Sequence, residues 1–225
     1  QEIPKYYHKR MLACNAAMEV NMVLKADKID PEQVYHIGNP VISPDELVLV
    51  KNYDAVQHVT VQYPYGGMAL THYPKEKLNT SFFRDLIPVL KGLSEMIKQQ
   101  LYHLDIKGTN LVRDAVTGQI KLIDFGVAQS RMLTGNQIFT NIYAVWPFEV
   151  HMLSGETDIF SNFIYGEYIT DTYFTGVIKC FPHLDMSEIR YNVRQLNKIP
   201  IDHRTALIYS KIDVYSTGIM LMDLL

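Results

Sequence analysis

The sequence predicts an α+β fold in which a small first lobe precedes a larger, mainly helical second lobe. Short runs rich in Val, Leu and Tyr occur before residue 65, whereas segments with helical spacing fill most of the chain after it. The 225 residues suffice for one domain or two small ones, and 48% hydrophobic content suffices for a buried core. We expect lobes at 1–65 and 66–225. Both should be incomplete, because the chain lacks an initial Met and stops inside the apolar stretch Ile219–Leu225.

The first lobe is predicted to hold a helix and a pair of strands. Met11–Ala26 is rich in Ala, Met and Leu and free of Gly and Pro, which predicts a well-buried helix. Leu47–Lys51 and His58–Tyr63 are short apolar runs separated by the turn residues 52–54. We expect these two runs to pair as antiparallel strands.

The second lobe is predicted to contain a long helix, a hairpin and a C-terminal helix. Ser81–Leu101 carries apolar residues at helical spacing, and Pro88 should either start or kink this helix. Thr117-Gly118 lies between two short apolar segments, which predicts a tight hairpin. Lys211–Leu225 is predicted to be an apolar helix.

Composition and charge argue against several classes of function. The net charge of -3 argues against a nucleic-acid partner, which would require a basic surplus. No apolar run reaches the roughly 18 residues of a membrane span. Cys14 and Cys180 give neither a disulfide framework nor a zinc spacing, so we expect a reducing, cytoplasmic location.

One short stretch carries the groups that phosphoryl transfer requires. A carboxylate must accept the proton of the attacking hydroxyl, and Mg²⁺ needs a second carboxylate and an amide oxygen. A lysine near the γ-phosphate would stabilise charge in the transition state. Asp105, Asp124, Asn110 and Lys107 supply these four groups in that order.

This pattern resembles the eukaryotic-type Ser/Thr protein kinases. His-x-Asp-x-Lys-x-x-Asn spans residues 103–110, and Asp-Phe-Gly begins at Asp124. The resemblance implies a bilobal kinase fold, truncated at both ends, that uses ATP with Mg²⁺ or Mn²⁺ and phosphorylates a protein substrate. Lys107 favours Ser/Thr over Tyr specificity, because tyrosine kinases of this family usually carry Ala or Arg there.

The resemblance also assigns roles outside this stretch. Val61 would be the gatekeeper, and the hinge residues Gln62, Tyr63, Pro64 and Tyr65 would run past the adenine. Seven further residues would have structural or regulatory roles. They are Glu19 in the first helix, His103 packed beneath Phe125, Gly126 after it, Thr140 and Glu149 in the activation segment, and Asp213 in the C-terminal helix.

Several features depart from the kinase pattern. There is no Gly-rich loop and no Val-Ala-x-Lys strand, and Glu19 follows Lys5 by 14 residues and Lys9 by 10. Neither lysine fits the usual spacing of the phosphate-binding lysine, although Lys5 is the better candidate. We therefore expect Glu19 to lack a lysine partner, with the missing strands lying before residue 1. Leu104 replaces the Arg that usually binds a phosphorylated activation loop.

Two further departures concern the hinge and an insert. Pro64 falls where a backbone N–H would meet the adenine, and proline has none. Residues 150–209 form an unusual insert, either a structural elaboration or a docking surface for a partner. It is expected to contain a helix that opens at a capping box of Asp185 and Glu188 and ends at Pro200.

Two other functions stay open. The missing lysine and glycine loop favour a pseudokinase, a nucleotide- or partner-binding module without turnover. A small-molecule kinase of the aminoglycoside-phosphotransferase type would usually carry His in place of Lys107. The segment 65–70 is similar to viral and haspin-like kinases, which suggests an origin in a large DNA virus or a bacterial effector and a location in the host cytoplasm.

Overall fold

The structure, a computed structural model, describes residues 4–130, 146–147, 149–150, 153, 191–192 and 194–225. It is an α+β arrangement of helices and small antiparallel sheets. The chain divides into two compact units, Gln1–Ser130 with Leu224–Leu225, and Arg131–Asp223. The lobes expected at 1–65 and 66–225 and their bilobal arrangement stay predictions.

The first sheet of unit 1 has a different strand pair from the one predicted. Strand β1 (Tyr6–Leu12) pairs antiparallel with β2 (His58–Pro64). The predicted partner Leu47–Lys51 is wrong as a strand, because it lies in helix α2 (Pro44–Lys51). The cap explains this outcome: the Ser43 hydroxyl accepts from the backbone N–H of Glu46, and proline occupies the first helical turn.

Helix α1 (Ala13–Ile29) begins immediately after β1, with no intervening loop. It confirms the predicted first helix, shifted a few residues towards the C-terminus. Its buried face consists of small and apolar residues together with Glu19. The helix packs against β1, β2 and α2.

The second sheet confirms the predicted hairpin. Strands β3 (Met68–Ala69), β4 (Leu111–Arg113) and β5 (Ile120–Leu122) form an antiparallel sheet in that order. Gly118 turns the β4–β5 connection with a φ of 74°, a value that favours glycine. Three 3₁₀ turns, Leu70–His72, Lys75–Lys77 and Gly108–Asn110, complete the loops around this sheet.

The long predicted helix is α3 (Thr80–Lys98). The side chain of Asn79 caps it by accepting from the backbone N–H of Phe82. Pro88 therefore lies inside the helix and does not start it. The buried face of α3 comprises Phe82, Leu86, Val89, Gly92, Leu93 and Met96.

Unit 2 is described mainly through helix α4 (Ile201–Leu224), which starts ten residues before the predicted Lys211. Hydroxyl groups on its buried positions donate to backbone carbonyls one turn earlier, as Ser216 does to Ile212 and Thr217 to Asp213. The predicted capping box and most of the insert lie outside the described residues. In the part of the chain that the structure describes, no helix is both long and apolar enough to cross a membrane.

Candidate active site

Strand β1 and helix α1 bring Lys9 and Glu19 together. The Nζ atom of Lys9 lies 2.8 Å from Oε2 of Glu19, whose side chain is only 3% exposed. The expectation that Glu19 lacks a lysine partner is therefore wrong. A spacing of 10 residues suffices because β1 ends at Leu12 and α1 starts at the next residue. Lys5, the candidate favoured by spacing, instead places its ammonium 5.4 Å from the ring centroid of Tyr6.

Lys9 also pairs with Asp124. Its Nζ lies 2.8 Å from Oδ1 of Asp124, and the backbone N–H of Gly126 donates to the same oxygen at 3.2 Å. A Cβ on Gly126 would lie 3.1 Å from that oxygen and 3.3 Å from Oε2 of Glu19. Glycine is therefore the residue that lets the Asp-Phe-Gly turn approach the ion pairs this closely.

The charges of this cluster shift one another's pKa values. Burial acts to raise the pKa of Asp124, but the hydrogen bond and positive charge of Lys9 outweigh it, so the pKa is lowered. Burial likewise acts to lower the pKa of Lys9, but Asp124 and Glu19 outweigh it and raise the pKa. Both groups are therefore held in their charged forms at neutral pH.

The loop before β4 gathers Asp105, Lys107 and Asn110. Nζ of Lys107 lies 2.9 Å from Oδ2 of Asp105. The Asn110 amide nitrogen donates to the same oxygen at 2.6 Å and to the Asp105 carbonyl at 3.0 Å. Because the amide nitrogen is committed to Asp105, the amide oxygen is the Asn110 atom suited to a metal ion.

His103 connects this loop to the Asp-Phe-Gly turn through hydrogen bonds and ring packing. The backbone N–H of Asp105 donates to its Nδ1 at 3.3 Å, so its Nε2 carries the proton that is donated to the carbonyl of Ile123 at 3.0 Å. The ring is fully buried and packs edge-on against Phe125, with centroids 4.8 Å apart. The predicted packing of His103 with Phe125 agrees with this geometry.

A cavity of about 340 Å³ lies beside the ion pairs, within unit 1. This volume falls in the range of small-molecule sites. Most of the predicted nucleotide-site residues line it, whereas Val61, Gln62, Asp105 and Lys107 do not. The lining residues are Tyr7, Lys9, Glu19, Val23, Ile37, Tyr63, Pro64, Tyr65, Gly66, Gly67, Ala69, Thr109, Asn110, Val112, Ile123, Asp124 and Phe125.

The register of β1 and β2 places Tyr63 on the same face of the ribbon as Lys9. Tyr63 lies opposite Tyr7 and Val61 opposite Lys9, so these four share one face of the ribbon, whereas Gln62 lies on the other face. Val61 shares the face but is fully buried. Tyr63 therefore lines the cavity on the face of the ribbon that carries Lys9, and Pro64, at the end of β2, lines it as well.

Pro64 fits this ribbon without losing a hydrogen bond. The backbone N–H of Tyr65 donates to the carbonyl of Lys5 at 3.2 Å. Since hydrogen-bonded and non-hydrogen-bonded pairs alternate, Pro64 and its partner Tyr6 form a non-hydrogen-bonded pair. The missing N–H of Pro64 would have pointed away from β1, so proline costs the β1–β2 ladder nothing here.

The remaining predicted site residues are Thr140, Glu149 and Asp213. Thr140 lies outside the described residues. Glu149, in unit 2, has its pKa raised by burial. Asp213 is fully buried in α4.

The donor set fits a magnesium ion that is shared with a phosphate. Among the described residues, no group of three or more His, Cys, Asp or Glu side chains could hold a metal alone. Asp124 and Asn110 both line the cavity and offer one carboxylate and one amide oxygen. Mg²⁺ in proteins is commonly held by one or two carboxylates together with substrate phosphates.

Comparison with known proteins gives a partial, kinase-like similarity. No protein-family model matches the chain. A stretch of 73 residues is 32% identical to cyclin-dependent kinase 14 of Xenopus tropicalis and, equally, to that of Xenopus laevis. The stretch covers 32% of this chain and only 17% of each relative. These relatives give no support to a viral or bacterial origin.

Proposed function

We propose that this chain transfers the γ-phosphoryl group of ATP to a hydroxyl of a protein substrate. The observation that carries this proposal is the convergence of Lys9, Glu19 and Asp124 at one wall of a ligand-sized cavity. A cation held between two carboxylates beside a cavity is suited to phosphates, because the cation stays charged and is fixed in position. The local similarity to a cyclin-dependent kinase supports the same chemistry.

Each described residue of the site would have its own task in the reaction. The Asp105 carboxylate would accept the proton of the attacking hydroxyl, and Lys107, paired with it, would stabilise the developing charge. Asn110 and Asp124 would hold Mg²⁺, or Mn²⁺, which supplies neutralisation of phosphate charge. Lys9 would contact the phosphates, and Tyr63, Pro64 and Tyr65 would line the base site.

The substrate class and cellular context are inferred from the sequence. Lys107 favours Ser/Thr hydroxyls, through the resemblance to the Ser/Thr kinases. The insert 150–209 would dock a substrate or partner. Two cysteines without a disulfide framework favour the cytoplasm.

Removing the Asp105 carboxylate tests the catalytic proposal. Asp105→Asn should lower turnover by about 10²- to 10⁴-fold, the usual contribution of a general base. Nucleotide affinity should change little, because Asp105 does not line the cavity. Transfer of radiolabelled phosphate from ATP to a generic Ser/Thr substrate measures turnover, and calorimetry measures affinity. Asp45→Asn, at an exposed position in α2, is the matched control. Equal turnover in wild type and Asp105→Asn would refute the assignment.

A nucleotide-binding module without turnover is the second candidate. One observation favours it: Oδ2 of Asp105 already accepts from both Asn110 and Lys107, so these two donors compete with a substrate hydroxyl for that oxygen. The same experiment separates the two candidates. Affinity for Mg·ATP with no phosphate transfer above that of Asp105→Asn would favour the binding module.

A further inference from the structure

We propose that Tyr63 is a positioning residue, which holds Glu19 in the orientation that pairs with Lys9. This inference deepens the proposed function and rests on it for its kinetic part. Its structural part, the hold of Tyr63 on the Glu19–Lys9 pair, can be measured without turnover.

Two different side chains hold the two oxygens of the Glu19 carboxylate. The Tyr63 hydroxyl donates to Oε1 at 2.9 Å, and Lys9 donates to Oε2 at 2.8 Å. An ionised carboxylate can only accept, so the phenol must be the donor. With each oxygen fixed by a separate donor, rotation of the carboxylate is blocked and Oε2 stays directed at Lys9.

Because of the strand register, the residue that contacts Glu19 also lines the cavity. Lys9 and Val61 form one cross-strand pair, and Tyr7 and Tyr63 form the pair two residues along the ribbon. Tyr63 therefore lies on the face of Lys9 and reaches Glu19 from the neighbouring strand. Tyr63 lines the cavity while its hydroxyl contacts Glu19, so a ligand that contacts Tyr63 contacts the residue that positions the ion pair.

The hydroxyl matters because Glu19 is almost fully buried. Phenylalanine at position 63 would preserve the packing of the ring but leave Oε1 without its donor, at a place that water scarcely reaches. A buried carboxylate oxygen that loses its donor has a strong tendency to find another one. We expect the Glu19 carboxylate to rotate or withdraw, which leaves Lys9 with Asp124 as its remaining carboxylate partner.

Tyr63→Phe in the full chain tests this inference with two readouts. Loss of a hydrogen bond to a charged group should lower kcat about tenfold and leave the KM for ATP within about twofold. Independently, the time course of Lys9 acylation by a succinimidyl ester at pH 8, followed by peptide mass spectrometry, gives a Lys9 profile that reports the ion pair. Lys9 should react about threefold faster or more, because an amine that has lost one of its two carboxylate partners is less shielded from the reagent.

Tyr35→Phe is the matched control. It removes the hydroxyl of another buried tyrosine, and this hydroxyl has no hydrogen-bond partner among the described residues. Its Lys9 profile should match that of wild type. A Tyr63→Phe profile that also matches wild type would overturn the inference.

A double-mutant cycle shows whether Tyr63 acts through Glu19. If it does, Tyr63→Phe combined with Glu19→Gln should give the Lys9 profile of Glu19→Gln alone, whereas additive effects would contradict the inference. Failure of the proposed function is recognised separately. In that case wild type transfers no phosphate, while the Lys9 profile still responds to Tyr63→Phe.

Discussion

Lys9 is the cation on which the charge balance of the site depends. It faces two carboxylates, Glu19 and Asp124, and its own side chain is 24% exposed. Removal of the ammonium would leave two negative groups close together without a counter-charge. The same ammonium would face the phosphates of a bound nucleotide, so its loss should affect both the resting site and the reaction.

Lys9→Met should therefore lower turnover by about 10²- to 10³-fold, the usual effect of removing one group that stabilises transition-state charge. Lys5→Met is the matched control, because Lys5 is exposed and contacts the Tyr6 ring, away from both carboxylates. Initial-rate assays on both variants give the comparison. A larger loss in Lys5→Met than in Lys9→Met would show that the phosphate-binding lysine has been misassigned.

Single-residue reasoning from the sequence succeeds where the site is local and fails where it is not. Asp105, Lys107 and Asn110 lie within one loop, so their spacing alone predicts that they meet. Spacing misses Lys9, because the usual distance assumes a loop between the strand and the helix, and here that loop is absent. The sequence predicts Tyr63 near the base, but its bond to Glu19 depends on the β1–β2 register.

At the scale of elements, local signals explain most of the outcomes. Helix α2 resembles a strand in sequence because its two Val residues favour strands, while the Ser43 cap and Pro44 at its start favour a helix. The capped start of α3 likewise overrides Pro88 as a possible first residue. The pairing of β1 with β2 joins residues more than 40 positions apart, and no local pattern encodes it.

Tyr35, in the segment after α1, packs closely against Gly92 of α3. A Cβ at Gly92 would overlap ring carbons of Tyr35, which packs against the helix there. Gly92→Ala should therefore destabilise the protein by about 1–3 kcal/mol, the usual cost of overpacking, despite the better helix propensity of alanine. Urea unfolding followed by circular dichroism measures the change.

Gly218→Ala in α4 is the matched control for Gly92→Ala. A Cβ there meets no described atom within 4 Å, so helix propensity should act alone and stabilise the protein by up to about 1 kcal/mol. The two substitutions are chemically identical and should have opposite signs. Destabilisation of similar size at both positions would show that Tyr35 packing is not the cause.

At the scale of the whole molecule, the shifted pKa values set the pH range of stability. The pKa of Asp124 is lowered in the fold, because Lys9 outweighs the opposing effect of burial. Its stabilising contribution is complete above the unfolded value of 3.8 and is lost as the pH falls through the folded value. Glu149 has the opposite sign: burial raises its pKa, so it disfavours the fold at higher pH.

The alkaline limit depends on groups whose pKa is raised. Burial acts to lower the pKa of Lys9, but its two carboxylate partners raise it above 10.5. Burial raises the pKa of Tyr35 to about 12, and burial and the charge of Glu19 raise that of Tyr63. The stability linked to these groups is complete below their unfolded values and is lost as the pH rises through their folded values.

The free energy of unfolding should therefore fall below about pH 4 and above about pH 10. Between these limits it should form a plateau, apart from a decrease as the pH rises above 4.5, where burial disfavours the ionisation of Glu149. Lys9→Met should lower the free energy of unfolding on the plateau and reduce its pH dependence in both the acid and the alkaline limb of the profile. It removes a group whose pKa is raised and also the cation that lowers the pKa of Asp124. The alkaline limb should keep the pH dependence that comes from Tyr35 and Tyr63. Urea unfolding at intervals from pH 3 to pH 11 measures both limbs, and Lys5→Met should leave them unchanged. A Lys9→Met profile parallel to wild type at every pH would mean that the ion pairs of Lys9 do not contribute to the pH dependence.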